Sequence, residues 1–286
     1  AIAFHQGRIV TSRSTESVVS EAEKLIADPD FKGYIHDVGG PTANFRHPSC
    51  SKQLERGMCK NRDCLYPKPC RELYVDHSDY LDVLKQVRAL PKVKKVFIRS
   101  GIRYDYLMAD RDRTFIKELC ANHVSGTLKV APEHSSPEVL SYMHKPSIDV
   151  FTEFAKEYFR ENDRLGKKQY LIPYLISSHP GSTLRDAVEL AEFLNRYGFV
   201  PDQVQDFYPT PATLATCMYY TEMNPFTGEN VYVAKDMEEK KMQRALIHYN
   251  RPENRQLVKK ALIKAGREDL ISVLLPPQNR KGKKRR

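Results

Sequence analysis

The order of apolar and polar positions divides the chain into alternating helical and extended stretches. Residues 15–27 carry apolar side chains at helical spacing, and the pattern ends at Asp28-Pro29, where proline disfavours further helix. Ser78 is predicted to cap a second helix. Further helical patterns cover residues 78–90, 115–119, the stretch up to Met143, residues 148–162 and residues 184–194.

Short apolar segments that fit buried strands lie between these helices. They cover residues 33–38, 93–98, 125–131, 169–176 and 204–208. Because strands that alternate with helices pair in parallel, the pattern predicts an α/β fold, either a barrel or a doubly wound sheet. We assign residues 1–220 to this part. Residues 221–276 are turn-rich and then charged and helical, which predicts a C-terminal helical extension packed on it.

Each predicted strand ends in small, polar or charged residues. These ends read Gly39-Gly40-Pro41, Arg99-Ser100-Gly101, Pro132-Glu133-His134-Ser135, Ser177-Ser178-His179-Pro180 and Pro209-Thr210-Pro211. In α/β folds ligands bind at the carboxyl ends of the strands. A double glycine there also lets the backbone approach a ligand closely, since no Cβ stands in the way. The sequence therefore predicts a ligand site at this edge.

Several of these residues also have a purely structural interpretation. His134 and His179 can serve as hydrogen-bonding residues that fix their loops. Arg99 and Arg103 can pair with Asp105 or Glu133, or can hold an anion by two parallel hydrogen bonds. The residues alone leave these alternatives open.

Four of the six cysteines, Cys50, Cys59, Cys64 and Cys70, lie within 21 residues. Clustered thiols in a cytosolic protein are typical metal ligands, and this polar segment has few apolar residues around which to fold. The spacing lacks the C-x2-C pairs of zinc ribbons. We expect a metal centre, an auxiliary iron–sulfur cluster in preference to zinc, with His47 or His77 as alternatives for one thiolate.

Charge and hydropathy restrict the partners. Of the net charge of +10, six positive charges lie in the last eight residues, which predicts a disordered basic tail over residues 277–286. Such a tail is suited to weak nucleic-acid contact, although it can equally be a solubilising terminus. No apolar run approaches the length of about 18 residues that spans a bilayer, so we expect no membrane partner and a cytoplasmic location.

Taken together, the motifs resemble the radical S-adenosylmethionine superfamily, and specifically its YgiQ-type family. The resemblance covers nearly the whole chain. It rests on residues 4–8, the segment from His36 to Thr42, the cysteine loop through Leu73, residues 94–105, the segment from Lys129 to His134, Ser177 to Gly181, and Gln205 to Pro211.

The resemblance implies a partial parallel (β/α) barrel that binds a [4Fe–4S] cluster and S-adenosylmethionine and generates a 5′-deoxyadenosyl radical, on an unknown substrate. The ligand cysteines of that cluster, spaced C-x3-C-x2-C, are expected upstream of Ala1. The chain then represents the C-terminal part of a radical enzyme, without the first barrel strand, and is expected to be inactive on its own.

By the same resemblance, residues at the strand ends bind the cofactor. The double glycine meets the amino group of S-adenosylmethionine, although Pro41 stands where the superfamily usually has an acidic residue. The implied cofactor-binding residues are Gly39, Gly40, Arg99, Glu133, His134, Ser135, Ser177, Ser178, His179, Gln205 and Tyr208.

Two other functions remain open at the level of sequence. One is a methylthiotransferase-like modification of RNA or protein, which residues 135–145 and the basic tail favour. The other is a metal–thiolate module that binds nucleic acid and uses the α/β part as a scaffold. Salt-dependent RNA binding separates both from the leading interpretation.

Overall fold

The computed structural model describes residues 9–40, 43–60, 62–199, 201 and 204–277. The segment 4–8, Pro41, Thr42 and the basic tail from residue 278 onward therefore lie outside the described residues. The chain has a mixed α/β structure and divides into two units. The described residues up to Glu133, with 140–174 and 212–214, form the first unit; residues 134–139, 175–211 and those from Ala215 onward form the second.

Helices account for most of the regular structure. The α-helices are α1 (Thr15–Ala27), α2 (Ser51–Arg56), α3 (Ser78–Ala89), α4 (Tyr104–Ala109), α5 (Thr114–Glu118), α6 (Pro137–Tyr142), α7 (Ile148–Arg164), α8 (Leu184–Tyr197), α9 (Leu214–Thr221), α10 (Met237–Ile247), α11 (Arg255–Lys264) and α12 (Ile271–Leu274). The strands are β1 (Tyr34–Ile35), β2 (Lys95–Val96), β3 (Thr127–Glu133), β4 (Tyr170–Ser177) and β5 (Val204–Asp206).

The strongest helical patterns in the sequence are confirmed. Helix α1 begins after Ser14, whose hydroxyl accepts the N–H of Ser17, and ends at Asp28. Helix α7 begins after Ser147 in the same way and buries one apolar face, including Phe151, Phe154 and Tyr158.

Strands β1 and β2 form a short parallel sheet in the first unit. Tyr34 pairs with Lys95 and Ile35 with Val96. The regular pairing is shorter than the predicted segments 33–38 and 93–98, but backbone hydrogen bonds extend it, from Lys95 N to Gly33 O at 3.2 Å and from Val38 N to Phe97 O at 2.9 Å.

The longer strands form a second sheet in the order β3-β4-β5. In the second unit the last residues of β4 pair in parallel with β5, Leu175 with Val204 and Ser177 with Asp206. The parallel pairing predicted for this segment is confirmed. The sheets that the described residues form do not close into a barrel.

Other local predictions were wrong. Ser78 is the first residue of α3 rather than its cap, and its N–H is bound by the Asp76 carboxylate at 2.8 Å. Helices α2, α4 and α9 were not predicted from the sequence, nor was the π-helical turn, Leu119–His123, that follows α5.

Each unit has its own apolar core. In the first, Val83, Leu84 and Val87 of α3 and Val96 of β2 are inaccessible to solvent. In the second, α8, α10 and α11 share one cluster of buried side chains: Leu184, Ala187, Val188, Ala191, Met242, Ala245, Leu246, Val258, Ala261, Leu262, Leu270, Leu274 and Leu275. The C-terminal helices are thereby fixed to the helix that follows β4.

A search of the described residues finds no helix with both the length and the apolar character needed to cross a bilayer.

Candidate functional site

Two serine hydroxyls of the second unit, each on a residue that follows a strand, are buried without a hydrogen-bond partner among the described residues. They are Ser135 Oγ, just after β3, and Ser178 Oγ, just after β4. Their residues are 9% and 3% exposed. A buried hydroxyl without a partner costs about 1–3 kcal/mol, so most proteins satisfy it. Both hydroxyls stand at predicted site positions, and each keeps hydrogen-bonding capacity that no described group of the protein uses.

The backbone at the strand ends is also unusual. Glu133, the last residue of β3, has φ of 69°, and Ser178 has φ of 58°, although neither residue is glycine. Residues with a side chain occupy this left-handed region uncommonly, and such positions cluster at ligand sites. The left-handed conformation of Ser178 therefore ends the extended backbone of β4.

His134 is buried and neutral. Its Nδ1 accepts the N–H of Ser136 at 3.0 Å. Burial lowers the pKa of His134 to about 4, although the Asp186 carboxylate acts in the opposite direction. An uncharged imidazole at this position orders the loop after β3, and this structural role was one of the two interpretations left open by the sequence.

Asp186 links this loop to the start of α8. Its Oδ1 accepts the Ser136 hydroxyl at 2.6 Å, and its Oδ2 accepts the N–H of Thr183 at 2.9 Å. Thr183 Oγ1 accepts the N–H of Asp186 in return, which completes a capping box. One carboxylate therefore fixes both the helix start and the loop that carries Ser135.

Gln243 of α10 fixes the loop after β4 within the same unit. Its Oε1 accepts the N–H of Ser178 at 3.1 Å and the hydroxyl of Ser182 at 3.0 Å. Its Nε2 donates to the carbonyl of Ser182 at 2.8 Å. Because Gln243 is inaccessible to solvent, these bonds hold the Ser178 backbone firmly while leaving its hydroxyl unpaired.

The remaining predicted residues of the second unit differ in accessibility. Ser177 donates its hydroxyl to Asp206 of β5, which also pairs with Arg244. His179 is buried, its Nδ1 lies 2.8 Å from the Pro180 carbonyl, and its ring packs edge-on against Phe207. In contrast, Gln205 is exposed, and Tyr208 is 75% exposed.

In the first unit, the double glycine borders a cavity of about 360 Å³ beside the end of β1. Tyr80 also lines this cavity and donates its hydroxyl to the Val38 carbonyl at 2.6 Å. Neither Gly39 nor Gly40 has a positive φ, so left-handed geometry is not the reason for glycine here. The reason at Gly39 is packing, since a Cβ there would lie 2.6 Å from the Ala43 Cβ, whereas one on Gly40 would meet no atom within 4 Å.

Asp37 connects the end of β1 to the end of β2. Its Oδ1 accepts the N–H groups of Arg99 at 2.8 Å and Ser100 at 3.2 Å, and its Oδ2 accepts the Ser100 hydroxyl. Asp37 was not singled out from the sequence. Its position two residues before the double glycine was the available signal.

The two arginines after β2 have different environments. Arg103 forms a two-pronged ion pair with Asp105, with Nε 2.8 Å from Oδ1. Burial alone would raise the pKa of Asp105, but the Arg103 charge outweighs it and lowers that pKa to about 2. The structure therefore supports the pairing interpretation for Arg103. The side chain of Arg99 is exposed.

The cysteine loop, residues 50–70, is held partly by apolar contacts. Leu65 is buried and packs with Phe45 and Tyr106, and Leu73 packs against the same cluster. This small core was not anticipated from the polar sequence. On the other side of the loop, Asp63 pairs with His144, and the Tyr66 ring stacks on the His144 ring at 4.7 Å.

None of the four cysteines of the loop forms a disulfide bond. Cys59 is exposed, whereas Cys50, Cys64 and Cys70 are half-buried. Burial raises the pKa of the Cys64 thiol, and the neighbouring thiols of Cys50, Cys70 and Cys59 contribute in the same direction. Among the described residues, however, no three His, Cys, Asp or Glu side chains lie close enough to share one metal ion.

The two histidines considered as alternative ligands have other partners. His77 is buried, with Nδ1 2.6 Å from the Asp110 carboxylate and Nε2 3.2 Å from the Asn44 amide nitrogen. His47 Nε2 lies 3.6 Å from Asp79. Of the cysteines outside the loop, Cys120 is buried and Cys217 is exposed.

The supporting residues Gln243 and Asp186 were not identified from the sequence. Gln243 lies 65 positions from Ser178, and nothing local in α10 distinguishes it from its polar neighbours. The sequence did contain a signal for Asp186, because Thr183 and Asp186 have the spacing of a capping box.

Comparison with known proteins gives one family match over the C-terminal part. The model described as "Domain of unknown function (DUF3362)" matches residues 202–285, which include β5 and Gln243.

Curated relatives match almost the whole chain. A "UPF0313 protein" of Clostridium perfringens strain SM101 is 60% identical over 271 residues, which is 95% of this chain and 41% of the relative. A "UPF0313 protein" of Clostridium botulinum strain 657 is 57% identical over 271 residues, 95% of this chain and 42% of the relative. The chain thus spans about two fifths of the length of these relatives, and it has homologues named UPF0313 protein along nearly its whole extent.

Proposed function

We propose that this chain is part of a radical S-adenosylmethionine enzyme, and that the strand ends of its second unit contribute to binding S-adenosylmethionine. When bound together, S-adenosylmethionine and a [4Fe–4S] cluster supply hydrogen abstraction by a carbon radical, and the substrate is not identified. The parallel pairing of β1 with β2 and of β4 with β5 supports the partial barrel proposed for residues 1–220.

The observation that carries the proposal is the pair of unpartnered hydroxyls, Ser135 Oγ and Ser178 Oγ. S-adenosylmethionine presents ribose hydroxyls, a carboxylate and adenine nitrogens, all of which can pair with a serine hydroxyl. The residues present therefore fit the group. Each hydroxyl is buried in the free protein, so a hydrogen bond to the ligand does not require that water be removed from it first.

The neighbouring side chains orient these hydroxyls. Gln243 holds the Ser178 backbone and Asp186 holds the loop beside Ser135. Because these supports are themselves buried and paired, the two serines are fixed before a ligand arrives, which reduces the entropy lost on binding. His134 remains uncharged at neutral pH and therefore adds no charge beside the ligand.

The other implied cofactor residues stay predictions. Gly39, Gly40, Arg99 and Glu133 belong to the first unit, and Ser177 is already paired with Asp206. Gln205 and Tyr208 are exposed and accessible.

The test compares Ser135→Ala and Ser178→Ala in the full-length protein by calorimetric titration with S-adenosylmethionine. Each variant should bind about threefold to tenfold more weakly, the effect of one hydrogen bond. Neither variant should be less stable than the parent, because the deleted hydroxyl has no partner in the part of the chain that the structure describes. Ser147→Ala is the matched control: it removes the helix cap of α7, so it should lower stability by about 1 kcal/mol and leave affinity unchanged. Unchanged affinity in both strand-end variants would remove the basis of the proposal.

A further inference from the structure

We infer that the cysteine loop binds one soft metal centre through the thiolates of Cys50, Cys59, Cys64 and Cys70, and that Gln53 is the positioning residue of this centre. The inference concerns only the first unit and does not depend on S-adenosylmethionine binding.

Gln53 bonds directly to two of the cysteines, and a third bonds to one of these. Its backbone N–H donates to the Cys50 carbonyl at 3.1 Å, and its side-chain Nε2 donates to Cys64 Sγ at 3.3 Å. Cys64 in turn accepts the N–H of Cys70 on its carbonyl at 2.8 Å. The same Nε2 lies 3.3 Å from the sulfur of Met58, next to Cys59.

Gln53 is itself firmly held. It is 3% exposed, and its Oε1 accepts the N–H of Ser49 at 2.8 Å. The carbonyl of Ser49 then accepts the N–H of Tyr74, beyond the far end of the loop, at 2.8 Å. An amide that donates to a thiolate sulfur, and that is oriented by a second hydrogen bond, is the arrangement that supports metal–thiolate centres from outside the ligand set.

The charge of the loop favours an anionic centre. Residues 50–70 contain five basic and two acidic side chains, a net charge of +3: Lys52, Arg56, Lys60, Arg62, Lys68, Glu55 and Asp63. Four thiolates around Zn²⁺, or around a [4Fe–4S] cluster in its oxidised form, carry a net charge of about −2. Metal binding therefore replaces neutral thiols with a dianion within a positive loop, which is electrostatically favourable.

The thiols of the loop do not serve as its apolar core. Cys59 is exposed and the other three are half-buried, so the cysteines are not a packed apolar core. The apolar anchor of the loop is Leu65, which faces Phe45 and Tyr106 instead. Because no three ligand side chains of the described residues lie within range of one ion, binding must also draw the thiols together. Each thiol that binds loses its proton to solvent, and for Zn²⁺ or Co²⁺ this step involves no oxidation or reduction.

The loop sequence is compatible with two centres of the same ligand chemistry, zinc and an iron–sulfur cluster. The first arm of the test measures Zn²⁺ and Co²⁺ binding to the anaerobically purified chain. About one ion per chain should bind, and Co²⁺ should give a sulfur-to-cobalt charge-transfer band in the near ultraviolet. The second arm supplies sulfide with equal amounts of Fe²⁺ and Fe³⁺, which are the oxidation states of a [4Fe–4S]²⁺ cluster, and measures bound iron. Dithionite then supplies the electron for the electron paramagnetic resonance signal of the reduced cluster. The arm that binds at higher affinity identifies the centre.

Three variants make the test specific. Cys64→Ser should abolish the charge-transfer band, whereas Cys217→Ser, which changes an exposed cysteine outside the loop, should leave it unchanged. Gln53→Leu should weaken binding about 10-fold to 100-fold without changing stoichiometry, and Gln53→Glu should weaken it as well because a carboxylate cannot donate to sulfur. Circular dichroism of each variant checks that it is folded.

Two results would overturn the inference. One is the absence of metal in both arms while the four loop thiols remain freely reactive. The other is a loss of binding that is equal in Cys217→Ser and Cys64→Ser, which would show adventitious metal only.

Discussion

The side-chain oxygen of Gln243 accepts the backbone N–H of Ser178 at 3.1 Å. The two residues lie in the same unit but 65 positions apart, and Gln243 lies within the stretch matched by the domain of unknown function. The C-terminal helices are therefore more than an addition to the fold, because one of them fixes a strand end of the candidate site.

Replacement of Gln243 should destabilise this strand end. In Gln243→Ala, the Ser178 N–H and the Ser182 hydroxyl lose a shared acceptor in a region without solvent, so unfolding free energy should fall by about 3 kcal/mol. Lys241→Ala, on the exposed side of the same helix, should change it by less than about 0.5 kcal/mol. Urea denaturation of both variants measures the difference. Equal midpoints for the two variants would show that the Gln243 bonds contribute no net stability.

His134 should make stability depend on pH. Its pKa is lowered by burial to about 4 in the folded chain, against about 6.5 when unfolded, so the unfolded state binds more protons between these values. Above about pH 6.5, His134 therefore does not lower the free energy of unfolding. As the pH falls from about 6.5 toward 4, this free energy decreases. Between pH 7.5 and pH 5 the loss should be about 2 kcal/mol.

The comparison that isolates this effect is His134→Gln, which keeps a hydrogen-bond acceptor but does not titrate. Its unfolding free energy should change about 2 kcal/mol less over the same interval than that of the parent. Parallel pH profiles for the two proteins would mean that His134 is not buried in the neutral form.

The sequence predicted what depends on local periodicity. Helix α1 and helix α7 were predicted from apolar spacing, and both are present at the predicted positions. The parallel pairing of β4 and β5 followed from the alternation of strands and helices. In contrast, α4 carries no clean apolar stripe, because Tyr104, Asp105, Tyr106 and Leu107 are all buried and the whole turn is enclosed.

For the candidate site too, the sequence predicts local features but not contacts between distant elements. Strand-end positions such as Ser178 are visible in sequence because they follow an apolar run. Which of them remains unpaired is not visible, since this depends on partners that approach from distant elements. Ser177 and Ser178 are adjacent and chemically identical, yet Asp206 binds the hydroxyl of the first and no described group binds that of the second.

The buried ion pair of Arg103 and Asp105 should be important for stability. Asp105 is 5% exposed and holds the guanidinium through two hydrogen bonds, so Asp105→Asn leaves a largely buried charge without its partner. We expect a loss of about 3 kcal/mol, the lower part of the usual range, because the Arg103 side chain retains some solvent contact.

An exposed pair provides the control. Glu153→Gln breaks the Lys156–Glu153 pair, whose side chains are 69% and 59% exposed, and should cost less than about 1 kcal/mol. The folded pKa of Asp105 is about 2, so its stabilisation is complete above about pH 4 and is lost only as the pH falls toward 2. Thermal denaturation at neutral pH therefore measures the full loss of stability in Asp105→Asn. Similar losses in Asp105→Asn and Glu153→Gln would contradict the importance of the buried pair.

Alanine substitution should lower stability at Gly39 but not at the adjacent Gly40. A Cβ on Gly39 would lie 2.6 Å from the Ala43 Cβ and 3.2 Å from the Tyr80 hydroxyl, so Gly39→Ala forces a shift in packing and should cost about 1–3 kcal/mol. A Cβ on Gly40 meets nothing within 4 Å and requires no left-handed backbone, so Gly40→Ala should leave stability unchanged within about 0.5 kcal/mol. Gly40→Ala is consequently the variant in which S-adenosylmethionine affinity can be measured without a change in fold. A weaker affinity in this variant would indicate close approach of the ligand to the Gly40 backbone.

Denaturation curves test the expectation for Gly39. If Gly39→Ala is as stable as the parent, the packing against Ala43 is not what requires glycine at this position.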